Sequence, residues 1–320
     1  MSGLTVRPFD EGSDDEVWDR FVAGSVNGTF LHTRRFLSYH GARFADRSVL
    51  IEDGQAGVRA VMPAALDRTD RSLVVSHPGI TFGGVVHDGA LAGEELVEVF
   101  ELMASHYRAG GAETLRYKAV PLIFHRAPAG GDLYALHRLG AVRQRCDLSS
   151  TIDIDHRLAL RGGRGKRART ARNRGVEARW GWEAAPEFWV LLGRVLGERH
   201  GVAPVHGLDE MLLLAGRFPD EMSLVTTWLD GEMVAGGVTF SMAPTMHLQY
   251  SASSPAGRKV GAYDVMVEAC VAAAAGSGHR WFDFGISTED EGRILNAGLF
   301  DFKASFGAGS VAFEHYEVTL

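Results

Sequence analysis

The sequence predicts a mixed α/β fold built from two similar domains in tandem. The chain has 320 residues, enough for two domains of roughly 100–200 residues each. Hydrophobic residues make up 46% and charged residues 23% of the chain, which is typical of globular proteins. The order hairpin, strand, helix, strand also occurs twice, which favours two mixed α/β domains over one doubly wound sheet.

The first copy begins with a hairpin at an Asp-Gly turn, Asp53-Gly54. A strand at Leu73–Ser76 and a glycine-rich turn ending at Gly84 follow. Apolar residues at helical spacing then predict a helix with one buried stripe. The members of that stripe are Leu96, Val99, Phe100, Met103 and Tyr107. A strand over Thr114–Val120 completes the first copy.

The second copy has the same order, starting from a hairpin at Asp230-Gly231. The elements that follow it are a strand at Thr245–Ser251, a turn at Ser254–Gly261, a helix at Ala262–Ala275 and a strand at Arg280–Phe284. We therefore place a boundary near residue 150, giving domains 1–150 and 151–320. The alternative is that such alternation arose by chance.

Several classes of protein are disfavoured by composition. No apolar run reaches the ~20 residues of a membrane span, and the first ten residues lack a signal-peptide profile, so we expect a cytoplasmic protein. The net charge of −7 disfavours a surface devoted to nucleic acid. Cys146 and Cys270 form neither a metal cluster nor a disulfide framework, and no metal is expected.

A basic segment lies between the two copies. Arg157–Arg179 contains nine arginine or lysine residues and a single acid, Glu177. Ala168 and Ala171 predict a helix with one small-residue face and a cationic remainder. Such a density of charge favours a phosphate-bearing partner. A solvated helix balanced by acids elsewhere explains it equally simply.

The turn before the second-copy helix also carries cations. Gly257 and Gly261 flank Arg258 and Lys259 just before a helix begins. Backbone N–H groups at a helix N-terminus attract anions, and glycine permits close approach, so this turn is a candidate pyrophosphate cradle. Glycine required by turn geometry alone is the alternative interpretation.

The C-terminal run Phe302-Lys303-Ala-Ser-Phe306-Gly307 resembles the Phe-Lys-x-x-Phe-Gly signature of Fem-type enzymes. These form the tandem-domain branch of the GNAT acyltransferase superfamily, and the resemblance extends over almost the whole chain. It implies two GNAT-like domains that share a cleft. The runs Ser76–Gly84, Tyr117–Pro121 and Asp283–Glu289 resemble members associated with surface-polysaccharide or sugar-nucleotide pathways.

The resemblance implies an N-acyltransferase that moves an acyl group from acyl-CoA to the amine of a nucleotide-linked amino sugar or similar metabolite. The implied acyl-CoA site comprises Tyr250, Ser253, Gly257, Arg258, Lys259 and Gly261. The first domain, whose Gly79–Gly84 turn lacks cations, is expected to shape the acceptor side. One alternative is an aminoacyl-tRNA donor held by Arg157–Arg179, although no long helical arm is present. Another is a non-catalytic binding module.

Acyl transfer needs proton removal from the amine and a donor for the developing oxyanion. The resemblance implies that Lys303 stabilises the oxyanion. Asp283 alternates with two phenylalanines on a predicted buried strand, and a raised pKa there would suit a base or a group that orients the amine. A charge pairing with Arg280 or Lys303 is the alternative interpretation of Asp283. His77, in a loop rich in glycine and proline, is the other candidate for catalysis or substrate binding.

Further residues suit recognition of the acceptor. Lysine, asparagine and aromatic side chains match the phosphates, hydroxyls and base of a sugar nucleotide. The candidates are Tyr117, Lys118, His125, Asn296 and Phe302. The same residue types suit an RNA acceptor stem, so residue type leaves the two acceptors open.

Overall fold

A computed structural model of the chain describes residues 3–55, 57–91 and 93–320, apart from the side chains of Arg199 and His200. The chain forms two compact units. Unit 1 comprises Met1–Asp147, Asp290–Ile294 and Ala312–Leu320, and unit 2 comprises Leu148–Glu289 and Leu295–Val311.

The regular elements of the first part of the chain include eight strands and four α-helices among the described residues. In chain order they are β1 Leu4–Pro8, α1 Asp15–Gly24, α2 Arg34–Leu37, β2 Val49–Asp53, β3 Gly57–Met62, β4 Ala65–Leu66, β5 Leu73–Val75, β6 Val86–His87, α3 Glu94–Ala109, β7 Thr114–Lys118, α4 Gly131–Arg138 and β8 Val142–Asp153.

The remaining elements include six further helices. They are α5 Arg164–Asn173, β9 Glu177–Trp180, α6 Ala185–His200, α7 Leu208–Arg217, β10 Met222–Leu229, β11 Glu232–Met242, β12 Thr245–Ser253, α8 Pro255–Val260, α9 Ala262–Gly276, β13 Trp281–Ile286, β14 Thr288–Glu289, β15 Ile294–Leu295, α10 Ala297–Ala304 and β16 Gly309–Thr319.

Unit 1 contains an antiparallel sheet in the order β1-β2-β3-β6 and a further run of strands β4-β5-β7-β16. Strands β5 and β7 are parallel, whereas β7 and β16 are antiparallel. Helix α3 places its apolar stripe in the core, where Phe100, Met103 and Tyr107 pack with Ile51 and Leu115. Burial of this stripe is what the 3.6-residue spacing predicts.

Unit 2 is organised on strands in the order β8-β13-β12-β11-β10-β9. Strands β12 and β13 are parallel, and the other pairs are antiparallel. Met266 and Cys270 of α9 pack in one core cluster with Phe282, Phe284 and Phe306. Burial raises the pKa of the Cys270 thiol to about 12, so this cysteine is a packing residue.

The predicted fold class is confirmed, because both copies of hairpin, strand, helix and strand are present. The Asp53-Gly54 turn joins β2 to β3, and the Asp230-Gly231 turn joins β10 to β11. Strand β1, helix α1 and the helix pair α6 and α7 were not predicted from the sequence. No helix within the described residues has the length and apolarity needed to span a membrane. Those residues also include no group of three or more potential metal ligands.

Candidate active site

Strands β12 and β13 run side by side for only part of their length. Their parallel register joins Thr245 to Trp281, Met246 to Phe282 and His247 to Asp283. After His247, β12 continues to Ser253 along β11, with no further partner on β13. The two strands therefore separate after the pair formed by His247 and Asp283, which places these two side chains at the start of the gap.

Asp283 is fully buried and accepts four hydrogen bonds. The donors are the hydroxyls of Ser149 at 2.5 Å and Thr151 at 2.7 Å, His247 Nδ1 at 2.7 Å and the Gly285 N–H at 3.1 Å. Burial favours the neutral carboxyl, but His247 and the two hydroxyls outweigh it and lower the pKa of Asp283. The prediction that the pKa of Asp283 is raised is therefore wrong. Asp283 is an ionised carboxylate whose oxygens already accept these four hydrogen bonds.

The hydrogen bond to this carboxylate sets the tautomer of His247. An ionised carboxylate only accepts hydrogen bonds, so the Nδ1 of His247 carries the proton and donates it to Asp283. In the neutral imidazole, Nε2 is then the nitrogen that can take up a proton. The hydrogen bond fixes both the tautomer and the ring orientation, as required of a positioned base.

Lys303, on α10, is buried beside the same carboxylate. Its Nζ donates to the carbonyls of Gly285 at 2.9 Å and Ile286 at 2.6 Å. Burial lowers the pKa of Lys303 to about 8, and the charge of Asp283 limits that shift. In the ammonium form, which is present below that pH, Nζ has three N–H groups, one beyond the two donated to these carbonyls.

Gly285 connects the three side chains, and we call His247, Asp283, Gly285 and Lys303 the Asp283 cluster. The N–H of Gly285 donates to Asp283 and its carbonyl accepts from Lys303. A Cβ at this glycine would lie 3.4 Å from Cε1 of His247. With φ at +77°, position 285 also requires the backbone freedom of glycine. The imidazole of His247, the carboxylate that orients it and the buried amine of Lys303 therefore all lie around Gly285.

Phe302, predicted to contact substrate, packs beside this cluster within unit 2. Its ring lies 5.3 Å from that of Tyr263 and 5.4 Å from that of Phe306. The Arg164 guanidinium stacks over Phe302 at 4.5 Å and over Phe306 at 4.4 Å. Three aromatic rings and a guanidinium therefore hold α10 in place, which in turn fixes Lys303.

The turn predicted to hold pyrophosphate forms the short helix α8, which contains the buried Gly257 and is followed by the buried Gly261. A Cβ on Gly257 would lie 2.1 Å from the carbonyl oxygen of Val234, and one on Gly261 would lie 3.3 Å from that of Arg167. Both glycines thus serve backbone packing. Arg258 and Lys259 are exposed, and Arg258 Nη1 donates to the carbonyl of Ser253 at 2.6 Å. The cations of the turn remain accessible to an anion.

Gly257→Ala is expected to destabilise the protein by about 1–3 kcal/mol, because the added methyl group would overlap backbone rather than a movable side chain. The change is measured by urea unfolding. Gly193→Ala on helix α6, where a Cβ would meet no atom within 4 Å, is the matched control and should stabilise slightly. Equal effects of the two changes would contradict the packing role of Gly257.

The other unit 2 candidates have partners inside that unit. Tyr250 shares a 2.6 Å hydrogen bond with His206 Nδ1, and burial raises the pKa of this tyrosine. The buried Ser253 hydroxyl donates to the carbonyl of Val234 at 3.3 Å. Asn296 caps α10 by accepting the Leu299 N–H, which supports the helix that carries Lys303. Substrate contact by these residues stays a prediction.

His77 lies in unit 1, on the wall of a cavity of about 950 Å³. The residue is buried and has φ of +60°, an unusual backbone conformation outside glycine. Burial, followed by the charges of His40 and Lys118, lowers the pKa of His77 to about 2. Its Nδ1 accepts the Gly79 N–H at 3.2 Å. His77 is thus a neutral ring and a weak base, better suited to binding than to proton removal.

Lys118 lies on a second unit 1 cavity, of about 390 Å³. Its Nζ donates to the carbonyls of His77 and Ile80. Burial, together with the charge of Arg145, lowers the pKa of Lys118 to about 7. Lys118 therefore holds the loop that carries His77 while also lining a cavity with Arg116 and His315.

Tyr117 and His125 lie deeper in unit 1. Tyr117 is fully buried, and its hydroxyl donates to Asp132 at 2.8 Å and accepts the Val85 N–H at 2.9 Å. His125 is buried with Nε2 3.0 Å from the carbonyl of Val120. The structure does not support substrate contact for Tyr117, because its ring is inaccessible and its hydroxyl is occupied.

Residues 159–303 match the family model described as an acetyltransferase (GNAT) domain. The chain is an acyltransferase. The matched segment of this acyltransferase includes all four members of the Asp283 cluster and the Gly257–Gly261 turn. No curated protein shows significant similarity to the acyltransferase.

Solved structures show the same fold over nearly the whole acyltransferase. FemX aligns with a TM-score of 0.70 at 14% identity, covering 98% of this chain and 97% of that chain. L-PGS from Bacillus licheniformis gives 0.61 at 13% identity, with 97% and 93% covered. A tandem GNAT protein from the clavulanic acid biosynthesis pathway gives 0.51 at 12% identity, with 99% and 98% covered. The fold is thus that of Fem-like and tandem GNAT proteins.

Proposed function

We propose that the acyltransferase moves an acyl group from acyl-CoA to a primary amine at the Asp283 cluster. The observation that carries this proposal is the meeting of an Asp-oriented imidazole and a buried lysine amine where β12 and β13 separate. Acyl transfer to an amine needs a base and an oxyanion donor, and the Asp283 cluster offers one of each.

The chemical step uses each group once. The amine attacks the thioester carbon, and its proton passes to Nε2 of His247 while Asp283 stabilises the imidazolium. The carbonyl oxygen becomes an oxyanion and accepts a hydrogen bond from Lys303. When the C–S bond breaks, the thiolate takes the proton from His247. The products are an amide and free CoA thiol, and no metal or redox partner is required.

The donor assignment is supported by the match to an acetyltransferase (GNAT) domain and by the cations of the Gly257–Gly261 turn. The exposed side chains of Arg258 and Lys259 can meet the diphosphate of CoA through charge-assisted hydrogen bonds. Where β12 and β13 separate after His247, the backbone of β12 has no partner on β13. The extended pantetheine arm can lie in this gap, and its amides can form hydrogen bonds with that backbone. For the acceptor, we propose the amine of a nucleotide-linked amino sugar, as predicted from the sequence.

The direct test measures release of CoA thiol from acetyl-, butyryl- and lauroyl-CoA in the presence of amino sugars and sugar nucleotides with free amines. Amine-dependent thiol release with formation of the amide is expected. Aminoacyl-tRNA is assayed in parallel with the same amines. Transfer from aminoacyl-tRNA with none from any CoA thioester would overturn the acyl-CoA donor.

Lys259→Ala is expected to weaken acetyl-CoA binding by about 10- to 150-fold, because one charge-assisted contact to phosphate contributes about 1.5–3 kcal/mol. Isothermal titration of the protein with acetyl-CoA measures the change. Arg194→Ala, an exposed cation on α6, serves as the control and should leave the affinity unchanged. Unaltered affinity in Lys259→Ala would exclude this residue from the donor site.

A further inference from the structure

Helix α5 presents a row of cations that no acid neutralises. Lys166, Arg169 and Arg172 of α5, and Arg174 directly after its last residue, are exposed. Within the described residues the side chains of these four cations have no hydrogen bond or ion pair. We call these four residues the α5 cationic face. The chain as a whole carries a net charge of −7, so this positive charge is concentrated locally. The Asp283 cluster does not account for it.

The opposite side of α5 is fixed to α9. Ala168 and Ala171 are buried in a cluster with Ala262 and Val265. Arg164 and Arg167 both pair with the buried Asp264, at 3.1 Å and 3.4 Å. The small residues permit close approach of the helices, and the ion pairs fix their register. The α5 cationic face is therefore held in one orientation on a rigid element.

The same contacts place α5 beside the proposed donor turn. Arg167 Nη2 donates to the carbonyl of Arg258 at 3.1 Å, and the backbone of Arg167 abuts Gly261. The ten residues of α5 span about 15 Å at 1.5 Å per residue, and Arg167 is the fourth of them. The α5 cationic face therefore lies on the helix that contacts the turn carrying Arg258 and Lys259.

The cations of α5 oppose helix stability. Its first turn contains Arg164 and Lys166 with no acid, although a helix N-terminus favours negative charge. Lys166, Arg169 and Arg172 follow at three-residue spacing, which brings like charges together. This clustering of positive charge is unfavourable in the isolated protein, and binding of a negatively charged partner would neutralise it.

We infer that the α5 cationic face docks an acidic carrier protein that presents the acyl group as a thioester on its own phosphopantetheine arm. This inference rests on the proposed function, because the arm would enter the same gap after His247. A carboxylate-bearing helix complements a row of guanidinium groups through bidentate pairs. Helix α5 contains no aromatic residue for stacking on bases, which favours a protein partner over RNA.

The test compares two donors of the same acetyl group, acetyl-CoA and an acetyl-loaded acyl carrier protein, at low ionic strength. We expect kcat/KM to be about 10-fold or more higher with the carrier protein, since charge complementarity accelerates association. The variant K166E/R169E/R172E should abolish this advantage. Its kcat/KM with acetyl-CoA, measured at about 0.15 M salt where the Debye length is about 8 Å, should change less than about 2-fold.

A matched control reverses three exposed cations of unit 1, in R68E/R71E/R108E, and should retain the preference for the carrier protein. The neutral variant K166Q/R169Q/R172Q should lose the preference without a lower Tm, which separates docking from a structural role. Equal kcat/KM with both donors, or tighter binding of a short RNA duplex than of the carrier protein, would overturn the inference. Transfer from acetyl-CoA in that case would leave the proposed function standing, whereas no transfer from either thioester would refute the proposed function itself.

Discussion

Lys303→Met is expected to lower kcat by about 10²–10³-fold for whichever amine the enzyme acetylates, the usual effect of removing one oxyanion donor. Methionine keeps most of the length and volume of lysine, so the buried position beside Gly285 stays filled. Burying an ammonium is unfavourable, and the variant should be at least as stable as the parent in thermal unfolding. Steady-state kinetics with acetyl-CoA measure the loss.

The pH profile distinguishes an oxyanion donor from a packing residue. Because the pKa of Lys303 is about 8, the ammonium form is present below that pH and lost above it. An oxyanion role therefore predicts that kcat falls as the pH rises through about 8, and that this alkaline decline is absent from the residual activity of Lys303→Met. An unchanged kcat in the variant, or the same alkaline decline in both proteins, would contradict the assignment.

Asp283→Asn is expected to lower kcat by about 10²–10⁴-fold, the range that general base catalysis contributes. Asparagine keeps the shape of the side chain and can still accept from Ser149 and Thr151. Its amide can no longer act as an ionised acceptor for Nδ1 of His247, so the imidazole loses its fixed tautomer. Kinetics of the parent and variant with saturating acetyl-CoA measure the effect.

His247→Gln should show a loss similar to that of Asp283→Asn, and the double variant should be little worse than either single one, because the two residues act as a unit. His279→Gln is the control. His279 is also a buried histidine of unit 2, but it pairs with Ser241 at 2.9 Å. Additive losses at positions 247 and 283, or an equal loss at position 279, would argue that these residues only support folding.

Local patterns in the sequence were sufficient for much of the fold. Asp-Gly turns between apolar runs predicted both hairpins, and the stripe from Leu96 to Tyr107 predicted the buried face of α3. The spacing of Ala168 and Ala171 likewise predicted the small-residue face of α5. Each of these signals lies within one element or one turn, where periodicity determines which side chains face the core.

The candidate site depended on contacts between distant residues. Nothing near His247 in the sequence indicates that the parallel register of β12 and β13 sets it opposite Asp283, and His247 is therefore not among the catalytic residues predicted from the sequence. One signal was available. His247 lies between Met246 and Leu248 just as Asp283 lies between Phe282 and Phe284, so both polar residues share the face opposite their apolar neighbours.

The pKa of Asp283 could not be anticipated for a similar reason. Burial on a strand predicts a raised pKa when the carboxyl has no partners. The hydroxyls of Ser149 and Thr151 reach it from β8, more than a hundred positions earlier in the chain. The number of hydrogen-bond donors around a buried acid depends on which strands are neighbours in the sheet, and the local sequence does not predict it.

Strands β8 and β16 each begin in one unit and end in the other. A polypeptide cut near residue 150 would be severed inside β8 and would lack the β16 residues that pair with β7. The N-terminal unit therefore acquires its last strand only when the ribosome has translated the C-terminal residues. Until β16 has been synthesised, the edge of β7 that pairs with it has exposed backbone hydrogen-bonding groups. In that state a chaperone or a strand from another molecule could bind to β7.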